Sequence, residues 1–165
     1  MKKIQKSTRP SWDEYFLALL EPLSRRATCD RGRAATVIAS PHYTILATGY
    51  VGSPPGQPHC DDAGHMMKTV THEDGAQSQH CVRTIHAELN AILQAAQDGV
   101  TLKGSTLYCK MTPCYNCAMA IVRSGIARLV AQKRYHADTM SMKLFQDAGV
   151  EVLTIDTSLV QYKNQ

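Results

Sequence analysis

The chain has 165 residues, 44% apolar and 19% charged, with a formal net charge of +4. That length suits one domain with a real core, and no apolar run approaches a membrane span. The charge is too weak to argue for nucleic acid, although it suits a small anionic substrate. The N-terminus is basic (Lys2, Lys3, Lys6, Arg9), but no apolar signal-peptide segment follows it. Six cysteines stand beside seven histidines. Without a signal segment, and with metal-like spacing, they favour reduced thiols in a cytoplasm over disulfides.

Residues 1–10 read as a polar, mobile N-terminus. Ser11-Trp12-Asp13-Glu14 is a capping-box pattern, so a helix starts there. Trp12, Tyr15, Phe16, Leu19, Leu20 and Leu23 supply its apolar face, and Pro22 should kink it or end its regular part. Ala34 to Ser40 and Thr44 to Tyr50 read as strands joined by a turn at Pro41-His42-Tyr43. Residues 51–82 show neither helical nor strand period, yet carry His59, His65, His72, His80, Cys60 and Cys81. A loop this long generally has a job, and a metal clip would offset the entropy of ordering it.

A helix should run from His86 to about Asp98, before Gly99. Then come a strand (Ser105 to Lys110), a helix (Cys114 to Ser124, stopped at Gly125) and a strand (Ile126 to Gln132). A helix (Asp138 to Ala148, before Gly149) and a last strand (Val150 to Ile155) follow. Cys109 falls on a strand and reads as a small buried hydrophobe. The pattern is α/β: a mixed five-stranded sheet with helices on both faces.

The chemistry concentrates in two short stretches. His86, Cys114 and Cys117 offer one imidazole and two thiolates, three protein ligands for one zinc. Three ligands leave the fourth position open for water, the mark of a catalytic site. Glu88, two residues after His86, is the proton handler for that water. Pro113 fits the start of a helix, and Cys114 and Cys117 then project from one side of its first turn. The positive helix end favours thiolate. His86 and Glu88 would point apart in mid-helix, so they converge only if the metal lies beyond the helix end. Two helix N-termini should therefore meet at one zinc.

Thr84-Ile85-His86-Ala87-Glu88 with Thr112-Pro113-Cys114-Tyr115-Asn116-Cys117 resembles the zinc-dependent nucleotide and nucleobase deaminases. The flanking Gly49-Tyr50-Val51-Gly52-Ser53-Pro54, His59-Cys60 and His80-Cys81-Val82-Arg83 make the chain most similar to deoxycytidylate (dCMP) deaminases. The resemblance runs from about Ser11 to about Asp156. It implies a three-layer cytidine-deaminase-like fold over residues 11–156, with 51–82 as a metal-binding insert and 157–165 as a tail. It also implies hydrolysis of dCMP to dUMP and ammonia, supplying dUMP for dTMP synthesis. Glu88 would move protons from water to ring nitrogen N3 and to the leaving ammonia.

A second, structural zinc is expected at Cys29, Cys60, His65 and Cys81, with His80 as substitute ligand. By resemblance Arg26 and Tyr135 are pocket residues, Arg26 for the 5′-phosphate, and Tyr115 could line the base pocket. Gly49, Tyr50 and Gly52 belong to a loop that the family associates with a regulatory dCTP and Mg2+. Val51 stands where the family commonly has Asn and offers no hydrogen bond, which weakens the case for that regulation. The resemblance further implies a homo-oligomer, commonly a hexamer; no membrane or nucleic-acid partner is expected from the apolar runs and the charge. The alternatives are another nucleoside, nucleobase or tRNA deaminase, or a noncatalytic nucleotide-binding regulator on the same fold. Glu88 argues against the regulator, because zinc binding alone does not need that carboxylate.

Overall fold

The structure is a computed structural model that describes residues 9–71, 75 and 77–160. Most of the expected mobile N-terminus, His72 and the last five residues of the expected tail lie outside them. In chain order the elements are α1 (Trp12–Ser24), β1 (Ala35–Ala39), β2 (Ile45–Tyr50), α2 (Cys60–Ala63), β3 (Met67–Thr71) and β4 (Gln77–Cys81). There follow α3 (Ala87–Gln97), β5 (Thr106–Met111), α4 (Tyr115–Arg123), β6 (Arg128–Tyr135), α5 (Thr139–Asp147) and β7 (Glu151–Val160).

Ser11 caps α1 reciprocally. The Glu14 N–H donates to Ser11 Oγ at 3.2 Å, and the Ser11 N–H donates to Glu14 Oε2 at 2.7 Å. The helix stops at Ser24, two residues past Pro22. Phe16, Leu17 and Leu20 turn inward, whereas Trp12 and Tyr15 of the expected apolar face stay 49% and 41% exposed. Trp12 stacks instead on Tyr43 in the β1–β2 turn, ring centroids 4.5 Å apart.

The main sheet has the order β2-β1-β5-β6-β7. β1 pairs antiparallel with β2 and β5, and β5, β6 and β7 run parallel. Parallel neighbours need crossovers, and α4 and α5 supply them. α1 packs on one face, with Phe16 and Leu20 against Val37, Tyr108 and Val130. The other face carries the larger core, in which Ala91, Ala118, Ile121 and Phe145 of α3, α4 and α5 meet Ile38, Leu107 and Leu129. The fold is therefore the mixed five-stranded α/β architecture with helices on both faces, and Cys109 is buried within its core.

Two expectations change. Residues 51–82 are not a bare loop: they hold α2 and an antiparallel β3–β4 hairpin forming its own small sheet. The hairpin is largely exposed on both sides, so its sequence lacks the apolar alternation that marks a half-buried strand. The last strand also runs to Val160 rather than Ile155, pairing Arg134 with Leu159 and Tyr135 with Val160. The tail drawn from residue 157 thus begins inside a paired strand.

Gly49 sets how closely β2 meets α3. A Cβ there would lie 2.2 Å from the Ala87 carbonyl oxygen and 2.6 Å from the Ala91 nitrogen. Both are backbone atoms, so no side-chain rotation relieves the clash. Gly49→Ala should cost about 3 kcal/mol, the upper end of the range for overpacking, and lower Tm by about 10 °C. Thermal melts followed by circular dichroism check this. A Tm within about 2 °C of wild type would show that α3 shifts freely.

Candidate active site

Two helices begin at metal-ligating residue types. His86 is the N-cap of α3 (φ −65°, ψ 153°) and Cys114 the N-cap of α4 (φ −67°, ψ 166°). Both are extended, and neither side chain makes the usual capping bond to its own helix. Both are left to point across the gap between the helices. His86 Nδ1 lies 3.5 Å from Cys114 Sγ and 3.5 Å from Cys117 Sγ. All three donor atoms lie within 4.8 Å of one another.

The electrostatics suit a cation. The hydrogen bond with Cys114 raises the His86 pKa to about 9, against the opposing effect of burial. Hydrogen bonds from Cys117 and then His86 lower that of Cys114 well below the ordinary thiol range. Cys117 is pushed up, first by its bond to Cys114 and then by burial. One nitrogen and two sulfurs held this closely fit zinc, and their protons are what a metal would displace.

Glu88 lies in the first turn of α3 and is only 9% exposed. Its carboxylate is not one of the three converging donors. Burial raises its carboxyl pKa above the ordinary value, which suits a group that must hold a proton in passing. His86, Glu88 and Cys114 line one pocket of about 630 Å³.

Cys29, Cys60, His65 and Cys81 form a second group, again within 4.8 Å of one another. Cys60 and Cys81 Sγ are 3.5 Å apart, and Cys29 Sγ is 3.6 Å from His65 Nδ1. All described cysteines are free thiols. His65 Nε2 meets Asp30 Oδ1 at 3.0 Å, the carboxylate partner that fixes a ligating imidazole. Burial pushes the Cys60 thiol up to about 12. At Cys81 burial also pulls upward, but backbone hydrogen bonds from Arg83 and Met66 bring it down to about 7. His80, the expected substitute, is not in this group; it bonds Ser78 Oγ at 2.8 Å and lines the catalytic pocket.

The remaining expected residues divide. Tyr115 and Tyr135 line the pocket. Arg26 does not: the chain turns after α1, Ala27 goes inside and Arg26 stays exposed. Gly49, Tyr50 and Gly52 do not line it either. Gly49 is the close-packing position described above. Tyr50 offers its carbonyl to Asn90 Nδ2 at 2.8 Å, and Gly52 bridges Ile85. These three hold the chain on both sides of His86: Gly49 and Tyr50 against α3, and Gly52 against Ile85. Val51 is 9% exposed and packs with Cys29, Cys60 and Ala87.

The cations that do face the pocket are Arg31 and Lys68. Arg31 Nη2 donates to the Gln79 carbonyl at 2.8 Å, and Lys68 lies opposite His80 across the hairpin. Recognition of the β3–β4 hairpin would have pointed to Lys68, whereas Arg31 lies in the loop between α1 and β1 and carries no local signal. No helix among the described residues is long and apolar enough to cross a membrane.

Comparison with known proteins agrees with this geometry. Residues 10–133 match the model of the cytidine and deoxycytidylate deaminase zinc-binding region. ComE operon protein 2 of Bacillus subtilis is 36% identical over 160 residues, covering 95% of this chain and 79% of that protein. Deoxycytidylate deaminase of Saccharomyces cerevisiae is 34% identical over 151 residues, 92% of this chain, which spans only 47% of the yeast protein. The crystal structure of dCMP deaminase from cyanophage S-TIM5, in complex with dCMP and dUMP, superposes with a TM-score of 0.69 at 25% identity. It covers 90% of this chain and 99% of the phage chain. The chain belongs to the cytidine and deoxycytidylate deaminase zinc-binding family.

Proposed function

We propose that this protein hydrolyses dCMP to dUMP and ammonia. The observation that carries the reading is a buried Glu88 beside His86, Cys114 and Cys117, in a pocket that also presents Arg31 and Lys68. The phage enzyme solved with dCMP and dUMP, which shares this fold over nearly its whole length, supports the choice of substrate. His86, Cys114 and Cys117 would hold the zinc, which supplies the Lewis acidity that makes water nucleophilic near neutral pH. Glu88 accepts one proton of the attacking water and passes it to N3 as C4 is attacked. It then takes the second water proton and delivers it to the departing amine. Both water protons are thereby accounted for, one on N3 of dUMP and one on ammonia.

Arg31 and Lys68 take the place first assigned to Arg26 as cations for the 5′-phosphate. Tyr115 and Tyr135 supply pocket wall around the base and sugar. Cys29, Cys60, His65 and Cys81 hold a second, structural zinc that pins the insert carrying Lys68 and His80. The catalytic unit runs from Ser11 through β7, in a cytoplasmic homo-oligomer as the family implies. A dCTP effector with Mg2+ rests on the resemblance at Gly49, Tyr50 and Gly52 alone. The buried, apolar Val51 between them offers it no hydrogen bond.

Ammonia release from dCMP, dCTP, deoxycytidine and tRNA by the zinc-loaded protein tests the reading. dCMP should be the best substrate by a wide margin, and zero turnover of dCMP would overturn the proposal. Glu88→Gln should keep fold and metal but lose at least about 10²-fold in kcat; a rate near wild type would remove Glu88 from the role. Metal analysis should give two zinc ions per chain, one for each group. Cys114→Ser should keep one and lose turnover, whereas full zinc content in that variant would contradict the ligand set.

A further inference from the structure

One buried carboxylate near the pocket is used neither by the metal groups nor by the proton steps. Asp138 is 1% exposed and stands at the N-cap of α5. Aspartate at such a position normally accepts a bond from its own helix, yet here it makes none. Its carboxylate turns away instead. Oδ2 accepts from Thr112 Oγ1 at 2.7 Å and from Arg134 Nε at 2.9 Å, and Oδ1 accepts from Arg134 Nη2.

Thr112 is held at three points. Its N–H donates to the Lys133 carbonyl at 3.0 Å. Its hydroxyl donates to Asp138 and also accepts from the Tyr135 N–H at 2.8 Å. The third contact has a structural cause. Strand β5 ends at Met111, and Met111–Lys133 is the last pair of the β5–β6 ladder. Pro113 follows and cannot donate to a ladder. The Thr112 hydroxyl takes the place of a main-chain carbonyl as acceptor for the Tyr135 N–H, and extends the ladder by one bond. Two residues after Thr112 the chain delivers Cys114 to the metal group, and Tyr135 is a wall of the same pocket.

We propose that Asp138 is a positioning residue: by fixing the Thr112 hydroxyl and Arg134, it sets the Pro113–Cys114 loop in register with the Tyr135 wall. The inference rests on the deaminase reading for its effect on turnover, but not for its effect on metal retention. Asp138 Oδ2, which accepts from both Thr112 and Arg134, commits the Thr112 hydrogen to itself and leaves the hydroxyl lone pairs for the Tyr135 N–H. Without it the hydroxyl can rotate, and the loop that bears Cys114 loses its anchor. Supporting groups of this kind typically change metal affinity or activity by about 10–100-fold.

The test compares Thr112→Val, which keeps shape and removes the hydroxyl, with Thr112→Ser, which restores it. Zinc release from the loaded protein to the chromogenic chelator 4-(2-pyridylazo)resorcinol is followed beside kcat and KM for dCMP. Cys114→Ser identifies the release phase that belongs to His86, Cys114 and Cys117. Thr112→Val should speed that phase and lower kcat by about tenfold or more, with the other phase and the far-ultraviolet spectrum unchanged. Thr112→Ser should stay close to wild type in both readouts. Asp138→Ala should match Thr112→Val, and the double variant should be no worse than either, because the two residues act as one unit. If Thr112→Val does not fold, the isosteric Asp138→Asn carries the comparison, with a smaller shift in the same direction. Variants within twofold of wild type in both readouts, or losses that follow the unfolded fraction alone, overturn the proposal. If wild type releases no ammonia from dCMP, the deaminase reading fails, and the zinc-release comparison still decides the role of Asp138.

Discussion

Two extended residues, His86 and Cys114, each start a helix and leave their side chains unspent on that helix. Everything else serves that meeting. A helix N-terminus is electropositive and rich in free N–H groups, so two of them at one point favour thiolate and carboxylate nearby. The arrangement needs α3 and α4 side by side on one face of the sheet, and the core between them provides it: Ala91 of α3 and Ala118 and Ile121 of α4 lie in the same buried cluster. Ala91 and Ala118 are small, which lets the helices and sheet approach. Gly49 does the same for β2.

The insert is coupled to this centre through backbone. Thr28 N–H donates to Val51, Val51 N–H donates to Ala34, and Asp61 N–H donates to Thr28. Cys29 and Cys60 of the second group then share one buried cluster with Val51 and Ala87, the residue next to His86. Val51 and Ala87 thus form an apolar wall shared by the two groups of candidate ligands, and Cys29 and Cys81 line the same pocket as His86 and Cys114. Ordering the insert also brings Lys68 and His80 over the pocket. A chain segment with few apolar side chains of its own gains its order from this wall and from the donor atoms gathered beneath it.

Much of this was legible in the sequence where the signal is local. The capping box at Ser11, the glycines that close α3, α4 and α5, and the Cys114–Cys117 spacing each encode geometry within a few residues. The donor groupings were legible because His and Cys at those intervals have few other uses. The hairpin was not, because Lys68, Thr69, Ser78 and Gln79 are polar on both faces and carry no period. Arg26 stays outside the pocket because the turn after α1 decides which way a side chain points, and Arg31, five residues on, lines it. The end of β7 was hidden by the polar run Asp156-Thr157-Ser158, which breaks the apolar pattern after Ile155. The Ser158 N–H does bond Asp156 Oδ1 at 2.9 Å, and the β6–β7 register slips there before pairing resumes. Resemblance assigns Gly49 to a ligand loop; its want of a side chain also admits the close approach of a helix that arrives from far along the chain.

The central claim is that three protein donors, and not the neighbouring carboxylate, hold the metal. Anomalous diffraction at the zinc edge from crystals of the zinc-loaded protein tests it most directly. The account predicts a peak bonded by His86 Nδ1 at about 2.0–2.1 Å and by the Cys114 and Cys117 sulfurs at about 2.3 Å, with a nonprotein ligand in the fourth position. A map with no peak between these side chains, or with Glu88 occupying the fourth position, would contradict it.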